Sequence, residues 1–176
     1  MTVLTLFFVV VGATAAERLV ELVVSTRHAR RAFASGGVER GLGHFPAMVA
    51  LHTGLLVACV VEVLVADRPF LPALGRPALV AVLAAQGLRW WCVGTLGRQW
   101  NTRVVVVPGL PLVTTGPYRY LRHPNYVAVV VEGLALPLLH TAWVTAVVFT
   151  LLNAVLLVRF RIPAEEQALA ELAPAR

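Results

Sequence analysis

Five long apolar stretches, divided by short polar segments, set the plan of this chain. They run over residues 2–24, 45–66, 78–96, 118–139 and 142–160. Each has roughly the 20 predominantly apolar residues that a helix needs to cross a bilayer. Turn and breaker signals separate them: Gly36-Gly37 in the first polar segment, three prolines between Asp67 and Pro77, and His140-Thr141 before the last stretch. The pattern predicts an all-α integral membrane protein with about five transmembrane helices in one domain, 1–176. Residues Val104–Val107 read locally as a strand; beside a membrane they are expected to lie along the interface or line a pocket.

Composition strengthens this plan. Of the 176 residues, 59% are hydrophobic, and the mean hydropathy is +0.79. That is the profile of a membrane protein, not a soluble globule. All 15 basic residues are arginine, and the net charge is +6. Their placement reports membrane topology and gives no reason to expect nucleic acid. Arg27, Arg30, Arg31 and Arg40 follow the first stretch. Arg89, Arg98, Arg103, Arg119 and Arg122 surround the long connection after the third, and Arg159, Arg161 and Arg176 lie near the C-terminal end. Only Arg68 and Arg76 fall on the opposite side. The positive-inside rule then puts the N-terminus outside and the C-terminus in the cytoplasm. Cys59 and Cys92 sit in apolar sequence without metal-ligand spacing, so no metal is expected.

A few polar residues interrupt the apolar stretches. Glu17, Arg18 and Glu21 fall within four residues of one another, where charges survive by pairing or by lining a site. Ala13-Thr14-Ala15 has the form of a signal-peptidase site, but no basic segment precedes it and the helical pattern continues through Leu19 and Leu22. His44 and His52, eight residues apart, face broadly the same way on a helix and suit pocket lining better than metal binding.

The richest chemistry lies in Gly116–Tyr126, where two arginines, a histidine and three tyrosines crowd into eleven residues. Gly116-Pro117 predicts a helix start. Arg119 with His123, and Tyr118 with Arg122, would then share faces, and Pro124 would kink the helix. A second group, Arg161 with Glu165-Glu166, follows the last apolar stretch, and Pro163 suits the first turn of a new helix there. An apolar hairpin joins the two groups, so they return to one level. Carboxylates and aromatic faces suit a cation such as a sulfonium; arginine suits an oxyanion.

These residues resemble the isoprenylcysteine carboxyl methyltransferase family of integral-membrane methyltransferases. The resemblance rests on Leu112-Val113-Thr114-Thr115-Gly116-Pro117-Tyr118, then Arg122-His123-Pro124-Asn125-Tyr126, then Arg161 and Glu165-Glu166, and covers about Trp100 to Glu166. The first half, including Glu39, Gly41, His44, Met48 and His52, resembles a bacterial branch whose members are thought to methylate alkylpyrones or alkylresorcinols. The resemblance implies S-adenosyl-L-methionine as cofactor, in a cytoplasmic pocket at the C-terminal helix hairpin. Leu112, Val113, Tyr118, His123, Pro124, Asn125, Tyr126 and Glu165 fall on its cofactor-contacting positions, and Arg161 on the arginine that faces the acceptor. It also implies a lipophilic or prenyl-type acceptor drawn from the bilayer. One departure is Leu110, where the family often has histidine; part of the cofactor contact must then differ, or come from Asn101 or Arg103. An enol or phenol acceptor needs a base or a lowered pKa of its own, and His52, Glu17 and His44 are the candidate bases. The competing readings are a phospholipid N-methyltransferase, a nicotinamide-dependent sterol or enone reductase with a similar Arg-x-x-His-Pro-Asn-Tyr stretch, and a membrane scaffold without cofactor.

Overall fold

A computed structural model describes residues 2–172; Arg176 lies outside them. Helix α1 (Val3–Ala34) is continuous and runs well past residue 24. The segment 25–34 is polar, but its arginines and alanines are good helix formers, so polarity there marks an emerging helix and not a loop. Gly36, at φ +79°, ends it, and the Gly37 N–H returns to the Ala32 carbonyl at 2.8 Å. Strand β1 (Val38–Arg40) follows and pairs antiparallel with β2 (Val104–Val106), Glu39 lying opposite Val105. The valine run is therefore a strand, and a small two-stranded sheet accompanies the helices.

The other helices are α2 (Phe45–Val65), α3 (Pro72–Leu96), α4 (Pro124–Leu138), α5 (Trp143–Leu156) and α6 (Ile162–Leu172). Among the described residues, four helical segments are long and apolar enough to cross a membrane: Val3–Ala34, Leu42–Val65, Pro72–Gln99 and Trp143–Leu172. The fourth predicted span is shortened. Helix α4 has 15 residues, or about 22 Å, against a hydrocarbon core of about 30 Å. The reason lies in residues 116–123. Gly116–Arg119 forms a single 3-10 turn, and His123 is non-helical at φ −130°, ψ 60°. Pro124 therefore opens α4 and does not kink it. The helical pairings of Arg119 with His123 and of Tyr118 with Arg122 do not form. Pro163 likewise begins no separate helix: α5 passes into α6 through a π turn at Leu157–Arg161. Such turns absorb an extra residue and often lie at functional sites.

The bundle has three levels. At one end, Phe7, Val11, Cys59, Val63, Val82, Leu136 and Leu139 form an apolar core. There Glu62 of α2 accepts from Thr145 N and Oγ1, both at 2.7 Å, fixing the start of α5. In the middle, Arg18 bonds Glu21 at 2.6 Å and also Glu132, while Arg89 bonds Glu21 at 2.7 Å. These charges in the apolar stretches thus survive by pairing. At the other end the bundle opens into a cavity. Outward-facing Val57, Val61, Leu64, Val80, Leu83, Leu151 and Leu152 are exposed, as a lipid-facing surface would be.

Candidate functional site

The long connection from Gly97 to Thr115 is held down by the polar half of α1. Ser25, fully buried, donates to Asn101 Oδ1 at 2.6 Å and accepts from Thr102 N at 3.0 Å. His28 Nδ1 stands 2.8 Å from the Trp100 carbonyl oxygen, and Trp100 is buried. Gly116 seats the next turn against α3. Its φ is +56°, and a Cβ there would lie 2.5 Å from Thr95 Oγ1. Both the backbone and the space require glycine. Gly116→Ala is therefore expected to displace Gly116–Arg119 and lower the melting temperature by a few degrees, with the helical circular dichroism unchanged. Calorimetry beside the spectrum checks this.

The cavity measures ≈ 1170 Å³, larger than the usual 300–1,000 Å³ of a single small-molecule pocket. Its wall combines the end of α1, β2 and the segment after it, the turn at Tyr118, the start of α4, and the π turn with α6. Of the residues picked out in the sequence, Leu112, Val113, Tyr118, His123, Asn125, Tyr126, Arg161 and Glu165 all line it. Pro124 is fully buried behind them at the first position of α4. His52 is elsewhere: it lines a separate small void beside Arg18, Glu132 and Phe149, with Nδ1 2.8 Å from the Met48 carbonyl. His44 is buried at the start of α2, and Glu17 belongs to the middle level of α1.

Within the cavity a compact polar network forms. Tyr126 OH donates to Glu165 Oε2 and accepts from Arg161 Nε at 2.9 Å. Arg161 is only 5% exposed, so its charge is held inside the site and not at a watery rim. Arg161 is the last residue of the π turn, and Glu165 follows it in α6. The His123 and Tyr126 rings stack, with centroids 5.4 Å apart. His123 Nδ1 stands 3.4 Å from Glu165 Oε1, and Nε2 stands 3.4 Å from Glu166 Oε1. The Glu165 carboxylate raises His123 above the usual imidazole range, against the opposing effect of burial. Burial pushes the Tyr118 phenol up, so it stays protonated. Asn125 Oδ1 is buried with no hydrogen-bond partner among the described residues.

Sequence reasoning did not find β1, the Glu39–Arg103 pair that reinforces it, or Leu169 and Ala170 in the cavity wall. The one available signal was the alternation of Val38-Glu39-Arg40 after a glycine pair.

The model of the isoprenylcysteine carboxyl methyltransferase (ICMT) family matches residues 78–171. The chain is 36% identical over 167 residues to "Uncharacterized protein YpbQ" of Bacillus subtilis, covering 94% of this chain and 98% of that one. It is 25% identical over 158 residues to an "Uncharacterized protein" of Haemophilus influenzae, covering 89% and 91%. No solved structure matches.

Proposed function

Because this chain belongs to the isoprenylcysteine carboxyl methyltransferase family, and is an integral membrane methyltransferase on that ground, we propose that it is an S-adenosylmethionine-dependent O-methyltransferase for a lipophilic carboxylate, enol or phenol. The observation that carries this reading is the convergence of Tyr126, Glu165, Arg161 and His123 in one large cavity, built mainly from the family-matching half.

The residues fit such a cofactor. A carboxylate beside the stacked His123 and Tyr126 rings suits a sulfonium, and the unpartnered Asn125 Oδ1 offers an acceptor for an amino or hydroxyl donor. S-adenosylmethionine supplies, when bound, a methyl group already activated for transfer. Leu112, Val113, Tyr118, His123, Asn125, Tyr126 and Glu165 would hold it, with Pro124 fixing the start of α4. Arg161 holds the acceptor oxyanion, its guanidinium oriented by Tyr126. The protein's contribution is positioning and a fixed electrostatic field. A carboxylate acceptor needs no base. An acidic enol, as in a long-chain alkylpyrone, gives its proton to solvent water before transfer, with Arg161 stabilising the anion. Labelled S-adenosylmethionine with alkylpyrone, alkylresorcinol and prenylcysteine analogues tests this in detergent. The label is expected in an ester or ether of one of these; transfer to phosphatidylethanolamine nitrogen instead would refute the O-methyl assignment.

We place the cavity on the cytoplasmic side, supported by the arginines around it. In a background lacking Cys59 and Cys92, Ser35→Cys is expected to react with a membrane-impermeant thiol reagent from the cytoplasm, and Ala73→Cys from outside. The reverse labelling would put the cavity out of reach of a cytoplasmic cofactor.

A further inference from the structure

A second charged group in the cavity lies outside the Tyr126–Glu165–Arg161 network. Arg103 directly precedes β2, and its side chain lines the cavity. Its Nε donates to Glu39 Oε1 at 2.6 Å, and Nη2 donates to Glu39 Oε2. This is a two-pronged grip, which fixes the plane of the guanidinium. The Phe33 and Phe45 rings flank it at 5.8 and 6.0 Å. Its backbone N–H is held by Asn101 Oδ1 at 2.9 Å, and Asn101 is anchored in turn by Ser25. Nη1 makes no hydrogen bond to protein among the described residues. The Arg103 side chain keeps 32% exposure, whereas Glu39 is 10% exposed. Glu39 thus faces protein and spends its acceptors on Arg103, while one edge of Arg103 remains open.

The charge around this edge is unbalanced. Among the described residues, five arginines line the cavity (Arg31, Arg98, Arg103, Arg122 and Arg161) against two glutamates, Glu165 and Glu166. Both glutamates stand at the His123 side: Glu165 is tied to Tyr126, and Glu166 lies near His123 and Arg122. The β2 side has no carboxylate lining it among the described residues; Glu39 sits behind the wall. A fixed guanidinium with a free edge, in a cavity with excess positive charge, is suited to a carboxylate.

We infer that Arg103, oriented by Glu39, is a carboxylate-binding residue of this cavity and that Glu39 is its positioning residue. The inference rests on the methyltransferase reading, and the carboxylate belongs either to the amino-acid end of the cofactor or to the acceptor. It also gives β1 a role: a segment before residue 78, outside the family-matching region, orients a ligand contact. Leu110 supplies no polar group in this part of the wall, and Arg103 does.

The test compares S-adenosylhomocysteine, which carries the carboxylate, with 5′-methylthioadenosine, which lacks it, by calorimetry on the detergent-purified full chain. Arg103→Gln is expected to weaken S-adenosylhomocysteine at least tenfold and leave methylthioadenosine within twofold. Glu39→Gln should reduce the same ratio by a smaller factor, and the double variant should be no worse than Arg103→Gln. If S-adenosylhomocysteine affinity is unchanged but KM for a carboxylate acceptor rises tenfold at constant kcat, the residue still binds carboxylate, and the acceptor is its source. If neither changes, or if both nucleosides weaken alike with a lower Tm, Arg103 only ties β1 to β2 and the inference fails. Should Arg103→Gln not fold, Arg103→Lys serves: the affinity ratio is expected to fall at least threefold, and an unchanged ratio overturns the proposal. Wild-type protein that binds neither nucleoside would remove the methyltransferase reading itself, whereas normal wild-type binding with unaffected variants removes only the role of Arg103.

Discussion

Glu165→Gln is expected to weaken S-adenosylmethionine binding tenfold or more while the protein stays folded. Glutamine keeps the size of the side chain and an oxygen that accepts from Tyr126 OH, so the network around α4 and α6 retains its shape. It removes the negative charge that, on the proposed function, would face the sulfonium. A hydrogen bond to a charged group contributes about 1.5–3 kcal/mol, and about 1.4 kcal/mol corresponds to tenfold in affinity. The same substitution removes the largest cause of the raised His123 pKa, the Glu165 carboxylate, and leaves the contribution of Glu166. In the unliganded wild type, the stabilisation from protonated His123 is present below the ordinary imidazole value and lost as pH rises through the raised one. The variant should show a weaker dependence of Tm on pH across that window. Calorimetry for the ligand and thermal shifts across neutral pH check both parts; unchanged affinity would reduce Glu165 to a structural partner of Tyr126.

Arg161→Ala carries the second large effect, a fall in kcat/KM of about a hundredfold or more. The guanidinium is buried and bonded to Tyr126 OH at 2.9 Å. Truncating one partner of a buried, hydrogen-bonded charge pair between protein and ligand costs about 2–5 kcal/mol of binding free energy, and about 1.4 kcal/mol is tenfold in kcat/KM. Arg161→Lys keeps charge but loses the planar fork, so it should fall between wild type and alanine. Because Tyr126 links Arg161 to Glu165, some loss of cofactor affinity is expected too, but only a few-fold. Turnover and cofactor binding measured on the same preparations separate the two effects. Loss of cofactor binding as complete as in Glu165→Gln would place Arg161 on the cofactor side.

The convergence of the two motifs was legible because it follows from one simple element. Two apolar helices joined by the tight His140-Thr141 turn return the chain to its starting level, which brings Arg161 and Glu165 to Tyr126. Pairing of Glu21 with Arg18 was legible too, because charge in an apolar stretch leaves few alternatives. The detailed shape of the motif was not. Gly116-Pro117 carries the signals of a helix start, but Pro124 carries the same signal, and α4 begins at the second proline. The intervening residues form a turn whose backbone presents Tyr118 and His123 to the cavity. The π turn has no sequence pattern of its own; it is visible only once the ends of α5 and α6 are fixed by packing. Strand β1 pairs with residues more than sixty positions away, so no local periodicity reports it. The polar half of α1 shows the opposite error: arginine and histidine signal the end of an apolar span, and the helix itself continues.

The most direct measurement of the central claim is a side-by-side titration of the detergent-purified protein with S-adenosylhomocysteine and with NADPH. Saturable binding of S-adenosylhomocysteine at one site per chain, without response to NADPH, is the predicted result. Binding of NADPH with no response to S-adenosylhomocysteine would contradict the assignment and point to a reductase in the same cavity.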